Sequence, residues 1–136
     1  MTNKSVNGEA DIRGGTKPPD IRERVYQYAL RAVRLYQYLQ KQRDSAGWIL
    51  GKQYLRAATS IGANIEEAQA SESRADFVHK VGIAQKEARE CLFWLRLLTG
   101  SHIMSNSRLS PLTKETKELI AVITAIVVNT KSRKVR

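Results

Sequence analysis

Apolar residues recur along this chain at spacings of three and four, and four separate stretches carry the pattern. In the first, Ile21, Val25, Tyr28, Ala32, Leu35 and Leu39 share one face of a helix predicted from Ile21 to about Gln42. Pro18 and Pro19 bar an earlier start, and Asp20 is placed to cap the first turn. A connector of Arg43, Asp44 and Ser45 leads to a second helix, from Ala46 or Trp48 to about Ala70. After a turn at Ser71 to Ser73, the third helix carries Phe77, Val81, Ala84, Ala88, Cys91, Leu95 and Leu98. Their alternating spacing is the seam of a bundle with shallow crossing angles. Gly100 opens a break that extends to Ser107. Ser110 or Thr113 then caps a fourth helix, with Pro111 in its first turn and Leu112, Leu119, Ile123 and Ile126 as its stripe. Four helices on short connectors predict an all-α fold, an antiparallel up-down-up-down four-helix bundle.

The second helix is unusual in its small side chains. Ala57, Ala58, Ser60, Gly62 and Ala63 suit a close approach by another backbone, while Ile61 and Ile65 supply packing knobs four residues apart. Arg56, Ser60 and Glu67 fall on the other side as a polar ladder for a neighbouring helix or subunit. Gly51 and Gly62 each lower helix propensity by about 1 kcal/mol against alanine, so a local bend is expected near Gly62.

The segment RAATSIGANIEEA, beginning at Arg56, with Asp76, Phe77, Ile83, Ala84, Glu87, Trp94 and Leu95 further on, resembles a family of small bacterial four-helix bundle proteins. The family was first noticed as reading frames in intervening sequences of 23S ribosomal RNA genes. The resemblance covers roughly residues 21 to 130, and its motif positions Arg56, Ser60, Gly62, Asn64 and Glu67 read as structural. Many relatives carry proline where this chain has Gly62. The resemblance implies a ring-like homopentamer, and it implies no particular biochemical activity. The fold also resembles the accessory variability determinants of diversity-generating retroelements, which assist a reverse transcriptase. By that analogy the chain is an accessory to a nucleic-acid-processing enzyme.

Composition narrows the picture. A chain of 136 residues that is 42% hydrophobic can bury one core. Residues 1–19 are polar and read as a disordered leader, 20–130 as the bundle domain, and 131–136 as a basic flexible tail. The lone Cys91 cannot form an internal disulfide, which points to a reducing cytoplasm. No apolar run approaches the roughly 18 residues at which a membrane span is expected.

Charge points to a partner. Lysine and arginine total 23 against 13 acidic residues, a net of +10, which favours an anionic ligand. Arg31, Arg34 and Lys41 lie opposite the core stripe of the first helix, Arg24 at its margin, with Tyr38 interleaved as a stacking ring. Lys131, Arg133, Lys134 and Arg136 extend the basic character into the tail. An ordinary solvated face accounts for the same pattern, and the two readings stand level. No helix-turn-helix spacing, ribonucleoprotein motif or zinc finger is present, so RNA or DNA would be held by its phosphate backbone.

A second apolar stripe lies beside the core one. Tyr26, Leu30 and Val33 on the first helix, and Phe93, Trp94 and Leu97 on the third, suggest an oligomer interface, with a wide core stripe as the plain alternative. No catalytic residue, metal site or cofactor is expected. His79 and His102 lack ligand partners at useful spacing. Neither Glu66 with Glu67 nor Glu87 with Glu90 is followed by histidine in the di-iron pattern, and they read as partners for Arg56 and Arg89. Cys91 on the apolar seam reads as inert packing. The expected function is a noncatalytic oligomeric scaffold that binds RNA or DNA; the alternative is a protein-protein adaptor.

Overall fold

The computed structural model describes residues 20–133. Within them the chain forms α1 (Ile21–Lys41), α2 (Ser45–Ala68), α3 (Arg74–Gly100) and α4 (Asn106–Ser132), with no strand among the described residues. The leader expected over residues 1–19 lies outside the described residues, as do Lys134 and Arg136.

Each helix begins on a side chain that accepts one of the backbone N–H groups the helix cannot satisfy itself. Asp20 accepts from the Arg22 amide, Asp44 from Gly47, Ser73 from Asp76 and Ser105 from Arg108. The last of these corrects the expected start of α4. The helix begins at Asn106, more than a turn ahead of Pro111, which therefore sits inside it. Proline there withholds one hydrogen bond from the Ser107 carbonyl, but Ser107 and Pro111 are both exposed and water can take its place. Two chain reversals use left-handed backbone: Arg43 after α1 (φ 61°) and His102 after α3 (φ 64°). His102 is a helix-terminating residue.

The sequence stripes become the core. Val25, Tyr28, Ala32, Leu35 and Leu39 of α1 meet Tyr54, Ala57, Ala58, Ile61 and Ile65 of α2, and α3 contributes the expected seam from Val81 to Leu98. Phe77 and Ile126 are only partly buried, whereas Leu109, Thr116 and Val127 of α4 join the core. One layer draws a polar residue from every helix: Tyr28, Tyr54, Cys91 and Thr116, all fully buried. The Tyr28 and Tyr54 rings stand edge to face with centroids 6.2 Å apart. Thr116 donates to the Leu112 carbonyl at 2.8 Å, so the Tyr28 hydroxyl, 2.6 Å away, is left to donate to Thr116. The Tyr54 hydroxyl has no partner among the described residues.

The tightest side-chain contacts fall at two other glycines, while Gly62 is the one that faces the backbone of α1. A Cβ on Gly51 would stand 2.9 Å from Leu39 Cδ1, and one on Gly47 3.0 Å from Ile103 Cγ2. At Gly62 the nearest atom, the Val25 carbonyl oxygen, would be at an ordinary 3.7 Å. Nor is α2 interrupted at Gly62, where a bend was expected. Of the small residues, Ala57 and Ala58 are fully buried while Ala63 faces solvent.

The polar side of α2 bonds to α3 of the same chain. Arg56 pairs with Glu87 at 3.5 Å and hydrogen-bonds Glu90, and Glu67 takes Lys80 at 3.0 Å. Asn64 instead turns back on its own helix, donating to the Ser60 carbonyl at 2.9 Å. Gln85 of α3 donates to Thr124 of α4 at 2.8 Å.

Candidate nucleic-acid interface

Residues 31, 34 or 35, and 38 recur at one-turn intervals on α1 and so share its flank toward α4. There the structure brings Arg31, Arg34 and Tyr38 together with Arg108, a residue of the first turn of α4, around an open cleft of about 370 Å3. Leu35, Met104, Leu109 and Leu112 form its apolar floor. The Arg108 guanidinium carbon lies 4.4 Å from the centroid of the Tyr38 ring, and its Nη1 donates to the Tyr38 hydroxyl at 3.1 Å. Among the described residues none of the three arginines is ion-paired with a carboxylate. Arg108 was not foreseen, because the sequence pattern left it in the connector ahead of Pro111.

Arg24 does not belong to this group. Its Nε and Nη2 donate to the two oxygens of Glu115, each at 2.9 Å, and Nη2 also reaches Glu118 at 2.6 Å. This bidentate clamp ties α1 to α4, and donating to Glu115 raises the pKa of the guanidinium further. Two carboxylates therefore neutralise the cation expected to bind phosphate. Lys41 is exposed at the end of α1 and does not line the cleft.

The tail cations are elsewhere. Lys131 belongs to α4, and Arg133 is its C-cap, so neither lies in a free tail over 131–136 as expected. Arg133 lines a hollow with Arg74 and Phe77, and Lys131 another with Arg74 and Val78. The length of α4 between Arg108 and Lys131 is roughly 35 Å at the standard helical rise. Among the described residues, Arg31 and Arg34 therefore lie in one basic group with Arg108, and Lys131 and Arg133 in another near Arg74.

The other candidate residues have structural roles. Burial pushes the Cys91 thiol up to about 12, well away from a reactive thiolate. Burial likewise raises the pKa of Tyr28 and Tyr54. Glu90 accepts from the Trp94 indole at 2.9 Å and from Arg56, and these two bonds hold its carboxyl below the usual range. Among the described residues no group of three or more His, Cys, Asp or Glu could hold a metal ion. Among them, too, no helix is long and apolar enough to cross a membrane.

Four of the six residues expected at an interface are exposed: Tyr26 (58%), Val33 (37%), Phe93 (50%) and Leu97 (38%). Leu30 is half-buried, and Trp94 packs against the core with its indole N–H on Glu90. Trp48, Ile49 and Val128 are exposed apolar residues that the stripe pattern missed. Trp48 donates from its indole to the Tyr36 hydroxyl at 2.9 Å.

Comparison with known proteins agrees with this architecture. A crystal structure of a protein with unknown function from the S23 ribosomal protein family of Bacteroides thetaiotaomicron is similar, with 35% sequence identity and a TM-score of 0.75. The match covers 79% of this chain and 98% of that one. No curated protein matches the chain. The family model for 23S rRNA-intervening sequence proteins matches residues 20–125, which span all but the last turns of the bundle. The chain belongs to the 23S rRNA-intervening sequence protein family.

Proposed function

We propose that this protein is a noncatalytic, oligomeric bundle that binds RNA or DNA largely through the phosphate backbone. The observation that carries the reading is the meeting of Arg31, Arg34 and Arg108 at one cleft, with no carboxylate pairing among the described residues. Uncompensated arginines in a chain of net charge +10 attract polyanions, and nothing in their arrangement matches a reader of base edges. Work beside a nucleic-acid-processing enzyme such as a reverse transcriptase fits such a scaffold, as does a reducing cytoplasm for the unpaired Cys91.

The proposed assembly is a ring-like homopentamer of up-down-up-down bundles. What supports the helix directions is the order of contacts: Val25 faces Gly62 while Leu39 faces Gly51, and Arg56 pairs with Glu90 while Glu67 pairs with Lys80. The exposed side chains of Tyr26, Val33, Phe93 and Leu97 support association, because solvent contact at large apolar residues favours burial against another chain.

Binding of labelled RNA and DNA at low salt tests the function. Arg31→Glu with Arg34→Glu is expected to weaken all sequences alike. Absence of binding by the wild-type protein would favour a protein-protein adaptor, which the exposed apolar residues also suit. Light scattering on the eluting protein tests the assembly, and a one-subunit mass at micromolar concentration would refute it.

A further inference from the structure

The cleft between α1 and α4 has more structure than a charged surface requires. Its arginines surround an apolar floor where four core residues still reach solvent: Leu35 (8% exposed), Met104 (6%), Leu109 (3%) and Leu112 (6%). The Arg108 guanidinium is held beside Tyr38, its carbon 4.4 Å from the ring centroid and its Nη1 donating to the hydroxyl at 3.1 Å. Arg108 as a whole is exposed, so its guanidinium is within reach of a ligand while it rests on the Tyr38 ring. The cleft, about 370 Å3, is open to solvent along its length, as suits a strand that passes over it.

A flat cation backed by an aromatic ring, an apolar floor and adjacent unpaired arginines form a combination that suits a nucleotide with its base free. The planar base would stack on the guanidinium and lose water against the floor, while Arg31 and Arg34, neighbours on α1, take the flanking phosphates. A duplex offers the same phosphates, but its bases cannot enter without unstacking. We propose that the Arg31, Arg34, Tyr38 and Arg108 cleft is a subsite for one unpaired nucleotide, so that this protein prefers single strands to duplexes. The inference rests on the nucleic-acid-binding reading and specifies its ligand.

The test uses the full chain with single strands of RNA and of DNA containing 2-aminopurine, whose fluorescence reports stacking, and duplexes of the same length. Arg108→Lys keeps the charge and removes the flat face. It is expected to weaken single-strand binding about fivefold or more, to remove the fluorescence change and to leave duplex binding within about twofold, since phosphate attraction needs only the charge. Tyr38→Leu, which removes the platform, is expected to do the same in protein whose circular dichroism and melting match the wild type. Equal wild-type binding of single strands and duplexes, or unchanged single-strand binding by Arg108→Lys, overturns the subsite while leaving nonspecific polyanion binding intact. No wild-type binding to either form overturns both.

Discussion

Arg24 and Glu115 form a two-bond clamp between the first and last helices, with Nε and Nη2 each 2.9 Å from a carboxylate oxygen. The same face of α1, two turns further on, carries Arg31 with no such partner among the described residues. Cations that look equivalent along the sequence thus divide into one that joins helices and others that remain available. Arg24→Met is expected to lower stability by about 1–2 kcal/mol, because it strands Glu115 and Glu118 without their cation. Nucleic-acid affinity of the folded variant should change far less than in Arg31→Glu with Arg34→Glu. Urea denaturation and a binding titration on the same preparations check both halves.

Glu90 makes stability depend on pH. Its folded pKa lies below the ordinary value of 4.5 because it accepts from Trp94 and Arg56. A depressed carboxylate contributes fully above its unfolded pKa, and the contribution disappears as pH falls through the folded value. Glu90→Gln keeps an acceptor for Trp94 but loses the charge facing Arg56. The variant should be less stable at neutral pH by about 0.5 kcal/mol, a small figure because solvent screens the pair. Melting curves across the acidic range should show this gap closing as the pH drops below 4.5. A gap that widens on acidification would contradict the assignment.

The buried layer at Tyr28, Tyr54, Cys91 and Thr116 distinguishes two tyrosines of equal burial. Tyr28→Phe removes the donor to Thr116 and should cost about 1 kcal/mol. Tyr54→Phe removes a hydroxyl without a partner among the described residues, and should be neutral or stabilise by about 1 kcal/mol. Urea midpoints of the two variants give the comparison. A clear loss in Tyr54→Phe would mean that its hydroxyl is paired, with the neighbouring Tyr28 hydroxyl or a buried water.

Gly62 lies in an uninterrupted helix with room for a side chain. Gly62→Ala should therefore stabilise by about 0.5–1 kcal/mol through helix propensity. Gly62→Pro should cost about 3 kcal/mol or more, because proline removes a hydrogen bond and collides with the preceding turn. Chemical denaturation of both decides the matter, and a neutral proline variant would restore the bend expected from the sequence.

Much of the bundle was legible because helical periodicity reports which face of each helix is buried. The Pro18, Pro19 and Asp20 run marked the start of α1, and the three-four spacing from Val81 to Leu98 identified the seam of α3. Periodicity does not report what stands on the facing helix. It could not show that Glu115 and Glu118 claim Arg24, or that the Leu39 and Ile103 side chains press on Gly51 and Gly47. Proline favours the first turn of a helix, so Pro111 points to a later start for α4 and masks the Ser105 cap and with it Arg108. Trp94 shares a stripe with Phe93 and Leu97, but its ring packs against the core and its indole N–H donates to Glu90 one turn back.

The salt dependence of RNA binding tests the central claim, an oligomer that gathers free cations against phosphates, most directly. The logarithm of the binding constant should fall linearly with the logarithm of salt concentration, with a slope of about 0.7 for each phosphate neutralised on a single strand. A steep slope is predicted for the wild-type protein. Shallower slopes are predicted for Arg31→Glu with Arg34→Glu, which removes the cations, and for Leu97→Asp, which places a charge at the proposed interface and separates the subunits. Binding that is absent at low salt, or that persists unchanged as salt rises, would contradict the account.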